Sequence, residues 1–393
     1  MKIAISLMVI WTTIQVIIGM YLVLPVLFYL LFIVLKKKGP EPLPSDSFNE
    51  NIAIIVTAYH EIAHIPDTVE SILNSDYSNF ICYVVLDNCD DISSLHFEDG
   101  RVVLLKPPTV LGGNVYSHFY AIEHFVRPHR YFTIIDSDNL VAKNYLTEIA
   151  ASLQKGYTAV QGIREAKNLD TQYACLDAAR DLYYHFYDGL VLYRIGSSAT
   201  LAGSGMAFET ALYKECLGHK DVSGAGFDKV LQYEIVKRKV RIAYNDRAVV
   251  YDHKTAHPAQ LVNQRARWIN TWFKYFSYGF DLLFRSAKSR SWNQFLFGTV
   301  LLRPPLFILL AIAFLFAAIN LIFDPYAALL WAGGFLLFVV GFALALVYYK
   351  ADKRIIRALK RIPFFIYYQF VSLFYSRNAN RRSVATRHFT NHE

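Results

Sequence analysis

The chain is short of charge and of cysteine, and each shortage narrows what it can be. Only 18% of its 393 residues are charged, against 54% hydrophobic and 16% aromatic. That is too apolar for a soluble enzyme and too polar for a pure bundle of membrane helices, so a soluble body with a few spans fits best. The four cysteines, Cys82, Cys89, Cys175 and Cys216, lie far apart and no pair has metal-ligand spacing. They read as small buried residues in a reducing compartment. The net charge of +8 comes without a basic stripe or a nucleic-acid motif. It gathers beside apolar segments, in Lys36 to Lys38, Lys350 to Arg361 and Arg377 to Arg387. Such placement suits anionic lipid headgroups and argues against nucleic acid as a partner.

Charge is missing altogether from the 33 residues Ile3 to Leu35. As a helix this run would reach roughly 50 Å, beyond the ~30 Å hydrocarbon core, so it is expected to tilt, bend at Pro25 or begin at the interface. No small-residue cleavage site follows it, which excludes a removed signal peptide and leaves an anchor. Two further spans are expected at Leu306 to Phe323 and Ala327 to Tyr349, joined by Asp324-Pro325-Tyr326, a link without a basic residue. Basic residues instead follow the first and third spans, Lys36 to Lys38 and Lys350, Lys353 and Arg354. The positive-inside rule then puts residues 36 to about 304, and the tail, in the cytosol. No span carries a buried charge, which argues against a transporter. Ser291 to Arg303 and Ile355 to Tyr375 mix aromatic and polar positions and are expected to lie along the membrane surface as amphipathic helices. Reading the second as a fourth span would export the basic tail.

Between the anchors, short β-branched or aromatic runs alternate with helical patterns such as Tyr116 to Phe125. The runs are Asn51 to Val56, Phe80 to Leu86, Arg101 to Leu105, Tyr131 to Ile135 and Ala159 to Gly162. Buried parallel strands read this way, so an α/β layer fold is expected, with ligands beyond the carboxyl ends of the strands. Acidic motifs stand at those ends. Asp136-Ser137-Asp138 follows Tyr131 to Ile135, and two carboxylates one residue apart repel each other unless a cation or hydrogen-bond donors separate them. A surface turn explains such a triplet as well. Asp87, with Asn88, Cys89, Asp90 and Asp91, ends another apolar run, where it could accept hydrogen bonds from a nucleoside or simply cap a turn.

Thr57, Tyr59 and Glu61 follow the first strand and offer a backbone, an aromatic face and an acid in one loop, or a plain connection. Gly203-Ser204-Gly205 permits close backbone approach, and Asp228 opens a helical stretch as a candidate general base or a helix cap. Gln264-Arg265-Ala266-Arg267-Trp268 pairs arginine, suited to a diphosphate, with an indole platform for a sugar; an amphipathic helix meeting headgroups would use the same residues.

In this order and spacing, from about Asn51 to Pro305, the motifs resemble the family 2 glycosyltransferases of the GT-A fold. The likeness is to the membrane-integrated synthases related to cellulose, chitin and hyaluronan synthases, which are flanked by anchors in the same way. The resemblance implies that Thr57, Tyr59 and Glu61 cradle the nucleoside and that Asp87 reads the base. It also implies that Asp136 and Asp138 hold Mg²⁺ or Mn²⁺, with Asp138 the more direct ligand. The family's Thr-Glu-Asp motif falls on Gly226-Phe227-Asp228, which makes Asp228 the base that deprotonates the acceptor. Its QxxRW motif falls on Gln264, Arg267 and Trp268, which would bind the diphosphate and the acceptor sugar. Two departures stand out. Gly113-Asn114-Val115-Tyr116 replaces a Gly-Lys-Gly-Tyr common in relatives, and Phe227 replaces an acid.

The implied protein has a transmembrane anchor (1–38), a cytosolic Rossmann-like GT-A domain (39–290), an interface helix (291–304), two transmembrane helices (305–350) and an amphipathic segment with a basic tail (351–393). The implied reaction is inverting, metal-dependent transfer from a nucleotide-diphosphate sugar, UDP-glucose or UDP-N-acetylglucosamine, to a growing β-linked polysaccharide. Single transfer to a lipid is the alternative acceptor chemistry. A catalytically silent assembly subunit is the alternative of another class, and export or regulatory partners stay open.

Overall fold

The computed structural model describes residues 2–35, 49–222 and 224–376. The basic stretches Lys36 to Lys38 and Arg377 to Arg387 fall outside the described residues. The chain opens with α1 (Lys2–Leu35), continuous through Pro25. It then enters β1 (Ile52–Tyr59), α2 (Ile65–Leu73), β2 (Phe80–Asp87), β3 (Val102–Leu105), α3 (Asn114–Glu123) and β4 (Tyr131–Asp136). The apolar runs form strands because both faces are covered: every residue of β2 is buried, and β1 is buried up to Val56. β3, β2, β1 and β4 pair in parallel in that spatial order.

The second half of the sheet departs from the parallel expectation. It contains β5 (Leu140–Val141), β6 (Ala159–Ala166), β7 (Met206–Glu209) and β8 (Ala243–Asp252), in the order β4-β7-β6-β8-β5. β7 is antiparallel to both β4 and β6, and β5 is antiparallel to β8, which makes the eight-stranded sheet mixed. β7 and β5 are four and two residues long, too short for a period to be read from sequence. Where β6 shifts register against β8, Gly162 lies so close to Ala248 O that a Cβ would meet it at 2.4 Å.

Helices α4 (Tyr145–Gln154), α5 (Gln172–Tyr184), α6 (Leu192–Arg194), α7 (Thr210–Leu217) and α8 (Phe227–Lys237) surround this half. A π-helical segment, His185–Val191, joins α5 to α6. The chain then runs through α9 (Pro258–Tyr275), α10 (Tyr278–Ser289) and α11 (Trp292–Leu302). Helix α11 packs against α8 and α10. Gln294 donates to Val236 O and Lys237 O, and Trp292 to Ile195 O, while one edge of Trp292 and Phe295 stays exposed.

Among the described residues, three helices are long and apolar enough to cross a membrane: Ser6–Leu35 within α1, α12 (Leu306–Phe323) and α13 (Pro325–Tyr348). They pack on one another around Leu22, Ala313, Phe316 and Trp331, and Trp331 Nε1 donates to Gln15 Oε1 at 3.0 Å. The chain ends with α14 (Lys353–Ala358), a 3₁₀ turn and α15 (Ile362–Tyr375), a 14-residue helix laid along α9. α13 is bound to the sheet-bearing half directly: Tyr187 donates to Gly341 O at 2.8 Å, and the Tyr183 and Phe342 rings stack at 5.6 Å.

Candidate functional site

Sheet register brings the first motifs side by side. In the parallel pairing Thr57 stands opposite Asp136, and Tyr59 opposite Asp87, so the ends of β1, β2 and β4 form one rim. Asp87 is 2% exposed, and its two oxygens accept from the backbone N–H groups of Leu111 (2.8 Å) and Gly112 (2.9 Å). It therefore shapes the loop before α3, and each oxygen keeps a further lone pair for a ligand. The chain leaves both strands through left-handed residues, His60 (φ 64°) and Asn88 (φ 54°), whose side chains meet at 3.1 Å. Glu61 turns away from the rim: it is exposed and its Oε1 accepts from Ala63 N.

The acidic end is built around Asp136. Ser204, fully buried in the Gly203-Ser204-Gly205 turn, accepts from Asp136 N (3.1 Å) and from Asn139 Nδ2 (2.8 Å), which locks the loop against the end of β4. Burial, and then the negative charge of Asp138, push the Asp136 carboxyl up to about 7; Asp252 and Asp228 push the same way and Arg164 opposes them. Asp138 and Asp228 therefore both lie within electrostatic reach of Asp136. No group of three or more His, Cys, Asp or Glu side chains that could hold a metal occurs among the described residues. The donor set nevertheless fits a hard cation. Asp136 and Asp138 present carboxylate oxygens in a half-buried, negatively biased place, and ligand phosphates commonly complete the shell of Mg²⁺ or Mn²⁺.

Asp228 stands in the first turn of α8, behind Gly226. Gly226 is left-handed (φ 98°), and a Cβ there would come within 2.6 Å of Thr271 on α9, so glycine is what lets α8 start close to α9. Lys229 Nζ lies 3.0 Å from Asp228 Oδ2 and also donates to Leu201 O at 2.8 Å, which steadies the carboxylate. Phe227, the departure beside Asp228, is buried against the His118 ring at 5.2 Å. Burial pushes His118 down to about 3; its Nδ1 meets Tyr213 OH at 2.7 Å, and its Nε2 has no partner. An acid at Phe227 would face a histidine that is neutral here, so the apolar ring suits its surroundings.

On α9, Gln264 does not reach the cavity. Its Oε1 accepts from Thr255 Oγ1 at 3.0 Å. Arg267 and Trp268 do line it, and so does Arg265. The indole of Trp268 carries two guanidinium groups, Arg265 at 4.0 Å and Arg180 at 4.3 Å from the ring centroid. Behind it runs a buried charge network that sequence reasoning missed. Arg265 pairs with Asp177, Arg180 with Asp177 (3.5 Å) and Asp181, Lys254 with Asp181 (2.6 Å) and Asp252 (2.5 Å), Arg164 with Asp252 (3.5 Å), and Arg303 with Asp188. A signal was available: Asp177, Arg180, Asp181, Tyr184 and Asp188 recur at three- and four-residue spacing, one face of a helix.

Thr57, Tyr59, Asp87, Asp136, Asp228, Arg267 and Trp268 line a single cavity of about 1360 Å³. Glu61, Asp138 and Gln264 lie outside its wall. Its volume exceeds the ~300–1,000 Å³ of an ordinary ligand pocket, so there is room for two ligands. The same cavity is also lined by apolar side chains of α12, α13 and α15, such as Leu310, Phe342 and Phe365.

The family profile described as glycosyltransferase-like family 2 matches residues 50–271. No curated protein matches in sequence. Among solved structures, the mannosyltransferase PcManGT from Pyrobaculum calidifontis, in complex with GDP-Man and Mn²⁺, superposes with a TM-score of 0.57 at 16% identity. The match covers 93% of this chain and 99% of that one. TarS of S. aureus matches with a TM-score of 0.40 at 15% identity, over 59% of this chain and 40% of that one. Its residues 1–349 give 0.42 at 14% identity, over 86% and 93%. At these identities the PcManGT likeness concerns the fold.

Proposed function

The chain belongs to the glycosyltransferase-like family 2, and from that premise we propose that it moves a sugar from a nucleotide-diphosphate donor to an acceptor at a membrane, with inversion at the anomeric carbon. The observation that carries this reading is the single cavity lined by Thr57, Asp87, Asp136, Asp228, Arg267 and Trp268, residues drawn from five separate parts of the chain. The donor's nucleoside would lie on the rim made by Thr57, Tyr59 and Asp87. Mg²⁺ or Mn²⁺ held by Asp136 and Asp138 would supply positive charge against the departing diphosphate. Arg267 adds a fixed guanidinium on the same side. Asp228, steadied by Lys229, takes the proton of the acceptor hydroxyl as that oxygen bonds to the anomeric carbon. Trp268 gives the acceptor sugar a flat face.

Glucose and N-acetylglucosamine on UDP are the donors that the motifs suggest, and PcManGT adds GDP-Man to those worth testing. For the acceptor, the apolar lining of the cavity from α12, α13 and α15 favours a lipid-borne acceptor over a growing polysaccharide. The experiment is release of nucleotide diphosphate from a panel of UDP- and GDP-sugars by the purified chain, with and without Mn²⁺. Metal-dependent release from at least one donor is expected. Silence across the panel would overturn the enzymatic reading and favour an assembly subunit. Product length then separates the acceptors: one added sugar on a lipid is expected, and a ladder would favour a synthase.

A further inference from the structure

Transfer as described above uses one end of the cavity, yet unsatisfied chemistry stands further in. Arg265 has a 3% exposed side chain and forms part of the cavity wall. Among the described residues its one ion pair is through Nη2 to Asp177, and its Nε and Nη1 are buried without any hydrogen-bond partner. Buried guanidinium donors are almost always satisfied, so two orphans on one side chain call for an explanation. Arg180 and Arg303 complete the surroundings: both guanidinium groups lie 5.4 Å from the centroid of the Tyr184 ring, and both line the same cavity.

The neighbouring cations belong to one cluster. Arg164, Arg180, Lys254, Arg265 and Arg303 face four carboxylates in the network, Asp177, Asp181, Asp188 and Asp252. His185, whose Nε2 is also a buried orphan on the cavity wall, adds no anion: burial pushes it down to about 3, so it is neutral. Guanidinium groups suit phosphate oxygens in particular.

Position narrows the ligand. The arginines touch Trp268 on one side, and on the other the cavity continues along Phe342 and Leu346 of α13 and Phe365 of α15. A sugar platform, a cationic cluster and an apolar lining therefore adjoin in one cavity. Resting on the function proposed above, the geometry points to an acceptor of the same three parts: a saccharide joined through a phosphate to a long apolar chain. The phosphate is held by Arg265 and Arg180, the sugar lies on Trp268 and the apolar chain runs along α13. The reacting group is a hydroxyl of that saccharide. Its proton passes to Asp228, its oxygen bonds to the donor's anomeric carbon, and the bond from that carbon to the diphosphate breaks, releasing nucleotide diphosphate.

The test uses the full chain in detergent micelles and three probes that share one sugar: a sugar-phosphate joined to a long isoprenoid, the same sugar joined to that isoprenoid without phosphate, and the sugar phosphate without a tail. Binding is measured without donor. The complete probe is expected to bind about tenfold or more tightly than either partial one, the gain expected of charge-assisted bonds to phosphate. Arg265→Gln is expected to erase the difference between the phosphorylated and neutral lipids. Because that variant could fail to fold, the wild-type comparison alone decides. Equal binding of the two lipids, or equal binding of the tailless sugar phosphate, overturns the inference. Binding of a nucleotide diphosphate with Mn²⁺, measured on the same wild-type preparation, separates the two failures. If nucleotide binds while phosphate brings no preference, only the acceptor assignment falls; if nucleotide does not bind, the function proposed above falls with it.

Discussion

Asp228 and Ser204 show how much of the site depends on single side chains. Asp228 owes its place to Gly226, whose left-handed backbone lets α8 begin against Thr271, and its orientation to Lys229 at 3.0 Å. Asp228→Asn keeps size and hydrogen bonding but cannot take a proton. It is expected to fold and bind nucleotide while turnover falls by about 10²–10⁴-fold, the usual worth of a general base. Comparable turnover in single-turnover assays would remove the assignment. Ser204 works at one remove. Ser204→Ala leaves Asp136 N and Asn139 Nδ2 without their shared acceptor in a buried place. A loss of about 1–3 kcal/mol is expected in denaturant unfolding, with a weaker response to Mn²⁺ because the loop carrying Asp138 loosens. An unchanged midpoint and an unchanged Mn²⁺ titration would show that the turn does not brace the acidic pair. Ser204 was noticed in the sequence only as part of a flexible Gly-Ser-Gly stretch. Its bond to a residue 68 positions earlier has no local signature.

Among the elements, α3, α7 and α8 meet at His118. That ring bonds Tyr213 of α7 and packs on Phe227 of α8, and burial holds it neutral with a pKa pushed down to about 3. In the unfolded chain the same histidine titrates near its ordinary value of 6.5. Between those values the unfolded state binds the extra proton, so the stability that His118 contributes is full above about pH 6.5 and is lost as pH falls below it. The slope is about 1.4 kcal/mol per pH unit while only the unfolded state is charged. Asp136, pushed upward, titrates in the same window with the opposite sign, so the measurement is the difference between two proteins. The melting temperature of the wild type is expected to fall more steeply than that of His118→Gln between pH 7 and pH 5. Parallel curves would contradict a buried neutral histidine. The element scale is also where sequence reading was strongest and then failed. β1, β2 and β4 were legible because apolar β-branched runs end in polar residues. β5 and β7 were not, because two and four residues carry no period and their pairing is set by neighbours.

For the whole molecule, the long apolar helices and the sheet-bearing half form one packed body through Tyr187 on Gly341 and Tyr183 on Phe342. Basic residues after α13, Lys350, Lys353 and Arg354, against a link without any, support the proposal that the catalytic half faces the cytosol. All four native cysteines are buried, so a single exposed cysteine can report topology. Tyr326→Cys, exposed in the first turn of α13, is expected to react with an impermeant maleimide on intact cells. Asp90→Cys, on the exposed loop after β2, is expected to react only after the membrane is opened. The reverse pattern would invert the topology.

Composition and local pattern determined that this chain has three long apolar helices, an α/β domain between them and acidic residues at strand ends, because hydrophobicity and period are properties of neighbouring residues. Only the tertiary structure decided that Thr57 faces Asp136, that Asp87 spends two lone pairs on a loop, and that Glu61 and Gln264 point elsewhere. It alone assembled the network of Arg164, Asp177, Arg180, Asp181, Asp252, Lys254 and Arg265. Charges 70 to 90 residues apart attract one another only once sheet register and helix packing have removed water from between them, and no window of sequence contains that event.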